Sequence, residues 1–273
     1  IPIFQTFFLN ETLNFQGTVL SNLKDFNNFT IFFLQAYRIF VIFISTDMLK
    51  IYYLRISDFQ HLSEDELFPL VGEDTVRKVT GYKNPGVRRT KLLGEGMIRR
   101  LLFRLWGLHK EDYLIRIGEH GKPLVESRFS VWYNLSHSGD YIVAAFSHLE
   151  VGIDIEQKRK ARMEVARRFF HPAEIQCLQN LAGDAQDELF FRYWSVKESF
   201  LKYTGSGLSS PLSGFEVRFD DHRPRIFQSE NLRNLSISAC PVDPAYKCFV
   251  CAETTEEPGI FPFLVPDLFL PDE

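Results

Sequence analysis

Two short segments about forty residues apart carry the side chains best suited to chemistry: Gly152-Ile153-Asp154-Ile155-Glu156 and Trp194-Ser195-Val196-Lys197-Glu198-Ser199-Phe200-Leu201-Lys202. In the first, Val151, Ile153 and Ile155 alternate with Gly152, Asp154 and Glu156, so a β-strand there sends both carboxylates to one face. The second reads as a helix in which Trp194, Glu198, Leu201 and Lys202 fall on neighbouring turns, which gives Glu198 and Lys202 a common direction. Carboxylates without a soft ligand nearby suit a hard cation such as Mg²⁺, which keeps some waters and commonly also holds a substrate phosphate. A lysine one turn from a metal-binding glutamate suits the same phosphate. The chemistry indicated is the handling of a pyrophosphate or polyphosphate by metal and lysine together.

The elements that must position these groups form two runs. A strand is predicted at about 49–55, a helical segment at 63–70, and a long helix at 87–106, where Leu92, Leu93, Met97, Leu101, Leu102 and Leu105 recur at helical spacing. Strands bracket the turn Gly121-Lys122-Pro123, and others follow at 131–135, 141–147 and 151–156. The second run has helices at 162–170, 172–180 and 186–203, with Pro172 near a helix start, then strands at 214–219, 235–239 and 246–252. Each run joins a long helix to an antiparallel-looking sheet. The expectation is an α+β fold of two similar halves meeting near Glu150, with the site in the cleft between them.

The ordered set GIDIE, Phe169-Phe170, WSVKESFLK and Gly205 to Leu212, preceded by Gly121-Lys122-Pro123 and Asn134-Leu135-Ser136-His137-Ser138-Gly139, resembles the 4'-phosphopantetheinyl transferases of the Sfp type. The likeness runs from about Met48 to about Ala252. It implies a pseudo-twofold monomer with halves at 48–150 and 151–273. The implied reaction is Mg²⁺-dependent transfer of the 4'-phosphopantetheine arm of coenzyme A to a serine of an acyl or peptidyl carrier protein, releasing adenosine 3',5'-bisphosphate. Such carriers serve fatty-acid, polyketide or nonribosomal-peptide synthesis and present an acidic helix beside the modified serine.

Carried over residue by residue, the resemblance makes Asp154, Glu156 and Glu198 metal ligands, with Lys202 and Asp154 beside the cofactor's pyrophosphate. Alone, Asp154 and Glu156 would read as an exposed edge strand. Ser136 and His137 match the pair that holds the 3'-phosphate, and Lys122 with Pro123 an adenine and phosphate contact. Arg89-Thr90 matches an Arg-Thr pair at the start of the long helix, where a helix N-terminus itself favours phosphate; otherwise Arg89 is a solvated first-turn arginine. Glu174 stands where a glutamate could deprotonate the attacking serine, or where the helix dipole simply favours an acid. The nearest matches to the basic residue that the family places about a dozen positions before the Arg-Thr pair are Arg77 and Lys78, and Asp74 stands where the family has a second cation, so the resemblance does not carry a phosphate contact to this segment. Phe200, Tyr203 and the loop from Gly205 to Leu212 could face the carrier, with core packing the alternative for Phe200.

The chain has 273 residues and a net charge of −4, ample for a buried core and without the basic excess of a general nucleic-acid binder. Basic clusters (Arg88, Arg89, Lys91; Arg99, Arg100, Arg104; Lys158, Arg159, Lys160, Arg162) read either as solvated helix faces or as faces for a phosphate-rich ligand or acidic partner. Four cysteines make no disulfide framework, and a cytoplasmic setting is expected. Cys248-x-x-Cys251 lies in a predicted strand, where positions i and i+3 face opposite sides. Residues 1–47 differ from the rest. Their apolar run Phe29 to Ser45 contains Gln35 and Arg38 and lacks a basic flank. The favoured reading starts the natural protein at Met48; a membrane anchor or an added fold element are the alternatives. Two rival functions remain, a Mg²⁺-dependent pyrophosphate hydrolase and a membrane-tethered scaffold.

Overall fold

The computed structural model describes residues 31–34, 39–42, 49–207, 210–220, 223–227, 235–254 and 257–269. Strands β1 (Ile31–Leu34) and β2 (Ile39–Ile42) pair antiparallel, Ile31 opposite Ile42, inside the apolar run weighed above as a membrane span. The rest of the 1–47 extension, and the start expected at Met48, lie outside the described residues. Among the described residues no helix is long and apolar enough to cross a membrane.

From Leu49 the chain runs through β3 (Lys50–Arg55), α1 (Glu64–Leu67) and α2 (Glu73–Thr80) to the long helix α3 (Pro85–Trp106). It continues through the hairpin β4 (Tyr113–Ile117) and β5 (Pro123–Ser127) to β6 (Trp132–Ser138) and β7 (Tyr141–Ser147). The same order then repeats. Strand β8 (Val151–Gln157) leads through α4 (Met163–Phe169) and α5 (Pro172–Gln179) to the long helix α6 (Asp184–Thr204). The hairpin β9 (Glu216–Asp220) and β10 (Arg223–Phe227) precedes β11 (Leu235–Ala239) and β12 (Tyr246–Glu253). In the first sheet β7 lies antiparallel between β3 and β6; in the second, β12 lies antiparallel between β8 and β11. The fold is α+β, and its topology is duplicated.

Local sequence explains both long helices. Asn84 caps α3, its Oδ1 accepting from the backbone N–H of Gly86 at 2.8 Å, and Pro85 follows at the first helical position, where no N–H is needed. Helix α6 ends on Gly205, whose φ of +65° is a left-handed cap that glycine adopts without penalty. Helix α2 is only eight residues long, half of them charged, and buries only Val79, so its sequence alone looks like a loop. The polar strand β10, with a proline, was missed for a similar reason.

Packing stacks these pieces in layers. Tyr141, Val143 and Ala145 of β7 meet Ile153 and Ile155 of β8 and Val250 of β12 in an apolar core between the sheets. Strand β7 is buried along its whole length, and its Phe146 packs against Trp106 of α3, ring centroids 5.7 Å apart. On the far side of the second sheet, Val196, Phe200 and Leu201 of α6 pack with Phe249 and Cys251 of β12. Cys248 belongs to the inter-sheet core and Cys251 to the core under α6, so the CxxC pair is divided between opposite faces as the strand periodicity requires. Burial pushes both thiols up in pKa.

The last described segment returns to the first half. Strand β13 (Gly259–Pro262) pairs parallel with β3, and in helix α7 (Val265–Leu268) the Leu268 carbonyl accepts from Arg100 Nε at 2.9 Å. The expected 151–273 half therefore gives residues 259–268 to the sheet and helix of the other.

Helix α6 crosses β8 with no room to spare at Gly152. A Cβ there would overlap the Ser199 carbonyl oxygen and the Tyr203 amide nitrogen, both helix backbone that cannot swing aside. Gly152→Ala is expected to destabilise the protein by about 3 kcal/mol or more, the upper range for overpacking a filled core, read as a lowered urea midpoint at unchanged slope.

Candidate active site

That crossing sets the site. The strand puts Asp154 under the last turns of α6, where its carboxylate is only 4% exposed. Lys202 Nζ stands 2.6 Å from Asp154 Oδ1, and Ser136 Oγ donates to the same oxygen at 3.0 Å. Ser195 Oγ donates to the Asp154 carbonyl at 2.9 Å, so helix and strand are tied by main chain and side chain alike. Asp154 Oδ2 is buried and, among the described residues, has no hydrogen-bond partner.

Glu156 and Glu198 complete a group of mutually repelling acids. Burial raises the pKa of each, and the charge of Asp154 raises both further. An orphaned carboxylate oxygen beside two carboxyls that resist ionisation is a donor set that fits a hard divalent cation, which would satisfy the oxygen and relieve the repulsion. Among the described residues no three acidic, histidine or cysteine side chains stand in ligating arrangement, and Lys202 holds part of the position with its ammonium.

A cleft of ≈ 980 Å³ opens beside these groups, with walls from both halves. Of the residues singled out from sequence it brings together Thr90, Lys122, Pro123, His137, Glu198 and Lys202. The pKa of His137 is lowered, first by burial and then by the charges of Lys91 and Lys202. Lys122 turns its ammonium inward, donating to the Tyr203 carbonyl at 2.6 Å and standing 5.3 Å from the Trp132 ring centroid. It thereby caps the C-terminal end of α6, where a cation is favoured.

Other residues lie elsewhere than their sequence position suggested. Arg89 spreads its guanidinium over the carbonyls of Phe59 and Leu62, at 2.8 Å each, and so ties the loop before α1 to α3. Thr90 reaches the cleft, but its hydroxyl donates back to the Gly86 carbonyl at 2.9 Å. Ser136 is buried and engaged with strand β8 and with Lys202. Phe200 and Tyr203 are buried, whereas Gly205 and Gly207 line the cleft.

Glu174 is the largest correction. Its side chain and that of Lys197 are both 0% exposed and form an ion pair at 2.9 Å. Glu174 Oε1 also accepts from Val217 N at 2.7 Å, and Oε2 from His171 N at 2.9 Å. Lys197 donates to the Leu212 and Phe215 carbonyls at 2.8 and 2.7 Å. A carboxylate so enclosed is a structural tie between α5, α6 and β9, and it has no route to a serine in the cleft. The sequence places Lys91 only within a basic cluster and Lys78 only as a near match to a family position; both line the cleft. The signal for Lys91 lay in helix geometry, since Thr90, Lys91, Gly94 and Glu95 share the cleft-facing stripe of α3 and Arg89 does not.

A cleft lined by Glu198 and Lys202 from one half and by His137, Lys91 and Lys122 from the other, beside the Asp154–Lys202 pair, suits a phosphate-handling enzyme of duplicated α+β fold. Comparison with known proteins makes this specific. Residues 150–251 match the family described as the 4'-phosphopantetheinyl transferase superfamily. The chain is 36% identical over 178 residues to the 4'-phosphopantetheinyl transferase Sfp of Bacillus subtilis (strain 168), covering 65% of this chain and 79% of that protein. It is 33% identical over 195 residues to the 4'-phosphopantetheinyl transferase ffp of Bacillus subtilis, covering 71% and 87%. A solved holo-(acyl-carrier-protein) synthase from Bacillus anthracis in complex with CoA (3',5'-ADP) is 22% identical and covers 39% of this chain and 97% of that one, at a TM-score of 0.33. The chain belongs to the 4'-phosphopantetheinyl transferases of the Sfp type and is a transferase.

The buried pair separates structure from catalysis. Glu174→Gln is expected to cost about 3 kcal/mol of stability by leaving Lys197 buried without its counter-charge, while the folded fraction keeps its turnover. Chemical denaturation alongside a transferase assay at low temperature checks both halves of that expectation.

Proposed function

We propose that this chain moves the 4'-phosphopantetheine arm of coenzyme A onto a serine of an acyl or peptidyl carrier protein, with Mg²⁺, and releases adenosine 3',5'-bisphosphate. The observation that carries the reading is the presence of Glu198 and Lys202 on the wall of the same cleft as His137 and Lys91, with Lys202 tied to Asp154. A pyrophosphate and a separate phosphate on one ligand match that pairing. A simple pyrophosphate hydrolase explains the acids and Lys202 but leaves the histidine and the second lysine without a task.

Asp154, Glu156 and Glu198 would hold the cation, whose chemistry is to withdraw charge from the pyrophosphate. Lys202 shares its ammonium between Asp154 and a phosphate oxygen once substrate enters. The serine oxygen then attacks the phosphorus attached to pantetheine, the bond from that phosphorus to the bridging oxygen breaks, and the bisphosphate leaves with the oxygen. The serine proton passes to water in the cleft as the oxygen attacks. His137, Lys91 and Lys78 take the 3'-phosphate. Both halves of the cleft come from one chain, which supports a monomer, and the basic groups around it suit the acidic helix of a carrier. Free Cys177, Cys240, Cys248 and Cys251 and a coenzyme A substrate support a cytoplasmic setting.

Incubation with coenzyme A, Mg²⁺ and an apo carrier should add the mass of one phosphopantetheine to the carrier. Release of bisphosphate with no carrier modified, across several carriers, would point to hydrolysis instead. Asp154→Ala or Glu198→Ala is expected to lower the transfer rate by about a hundredfold or more with the fold intact, and excess chelator should do the same reversibly.

The lowered pKa of His137 sets a pH dependence. In the free protein the ring is held neutral near pH 7, and a phosphate dianion beside it reverses that bias, so binding takes up a proton. Affinity for adenosine 3',5'-bisphosphate should therefore weaken as pH rises through the pKa of the bound histidine. Calorimetry in buffers of different ionisation enthalpy should detect the proton, and His137→Gln should flatten the profile.

A further inference from the structure

Strands β6 and β8 belong to different sheets, and it is side chains of β6 that meet the facing backbone of β8. Asn134 Oδ1 accepts from Ile153 N at 2.9 Å, Ser136 Oγ from Ile155 N at 3.4 Å, and Ser138 Oγ from Gln157 N at 3.1 Å. Residues two apart on one strand thus engage residues two apart on the other, as the strand repeat allows. Without them three N–H groups at a largely buried seam would be unpaired, at about 1–3 kcal/mol each. Two of the hydroxyls also point onward to the acids: Ser136 Oγ donates to Asp154 Oδ1 and Ser138 Oγ to Glu156 Oε2, both at 3.0 Å.

We infer that Ser138 is a positioning residue that aims Glu156 at the metal, an inference that rests on the function proposed above. Accepting from Gln157 N fixes the hydroxyl and directs its one proton at Glu156 Oε2, which leaves Oε1 as the donor for a cation. A ligand oriented in this way loses less freedom on binding. Ser138 is the informative member of the seam because Ser136 also accepts from Lys202, at 2.9 Å, and a change there would disturb the phosphate contact as well.

The test uses the full chain and Mn²⁺ as a paramagnetic probe, titrated by electron paramagnetic resonance without coenzyme A or carrier. Ser138→Ala, and Ser138→Cys as a variant of closer volume, should weaken Mn²⁺ binding about tenfold, and Ser138→Thr should stay within about twofold of the parent. The Mg²⁺ concentration for half-maximal transfer should rise in step while the KM for coenzyme A stays unchanged, a split that a merely structural loss would not give. If Ala and Cys bind Mn²⁺ like the parent while Glu156→Gln binds it weakly, the role of Ser138 is overturned and the metal reading stands. If Glu156→Gln itself binds like the parent, Glu156 is not a ligand and the role of Ser138 falls with it, whereas weak binding by Asp154→Ala and Glu198→Ala would leave the metal on those two.

Discussion

The structure depends on one close approach, the passage of helix α6 over strand β8 at Gly152. With no side chain between them, helix backbone and strand backbone are in van der Waals contact. The polar contacts between α6 and β8 are short because of it. Lys202 can reach Asp154 only from a helix this near, and Ser195 can bond to the strand's carbonyl only for the same reason. The apolar residues on the other face of β8 hold the strand from behind, so the site is clamped between a filled inter-sheet core and a rigid helix.

Helix α6 also illustrates how burial sorts chemically similar residues into different tasks. Lys197 and Lys202 lie five residues apart, and each faces a carboxylate. Lys197 is fully enclosed with its acid and two carbonyls, an arrangement in which every hydrogen-bonding group is committed. Lys202 keeps 28% of its side chain exposed, and its acid retains an oxygen with no partner among the described residues. The first pair has nothing left to offer a ligand. The second is incomplete in the way a binding site must be.

Much of this was legible in the sequence because period and chemistry agreed. The alternation around Asp154 and Glu156, the helical spacing of Glu198 and Lys202, and the separation of Cys248 from Cys251 are consequences of strand and helix repeat alone. What was not legible needed tertiary contacts. The guanidinium of Arg89 looked equally able to meet phosphate or solvent, and the Phe59 and Leu62 carbonyls that claim it are some thirty residues away in sequence. Glu174 stands at a helix start in a pattern compatible with catalysis, but its partner Lys197 enclosed it. Helix α2 and strands β10 and β13 span eight residues or fewer, too short for a repeat to stand out from the loops around them.

Strand β13 gives the first half an unusual history. Its partner edge on β3 begins at Lys50, about two hundred residues earlier in the chain, and the ribosome needs on the order of ten to forty seconds to cover that distance. From the emergence of β7 until β13 follows, the β3 edge of the first sheet is unpaired while the second half is being made. An open edge is a template for pairing with other chains. The nascent protein therefore passes through a period of exposure to wrong partners that lasts until β13 arrives.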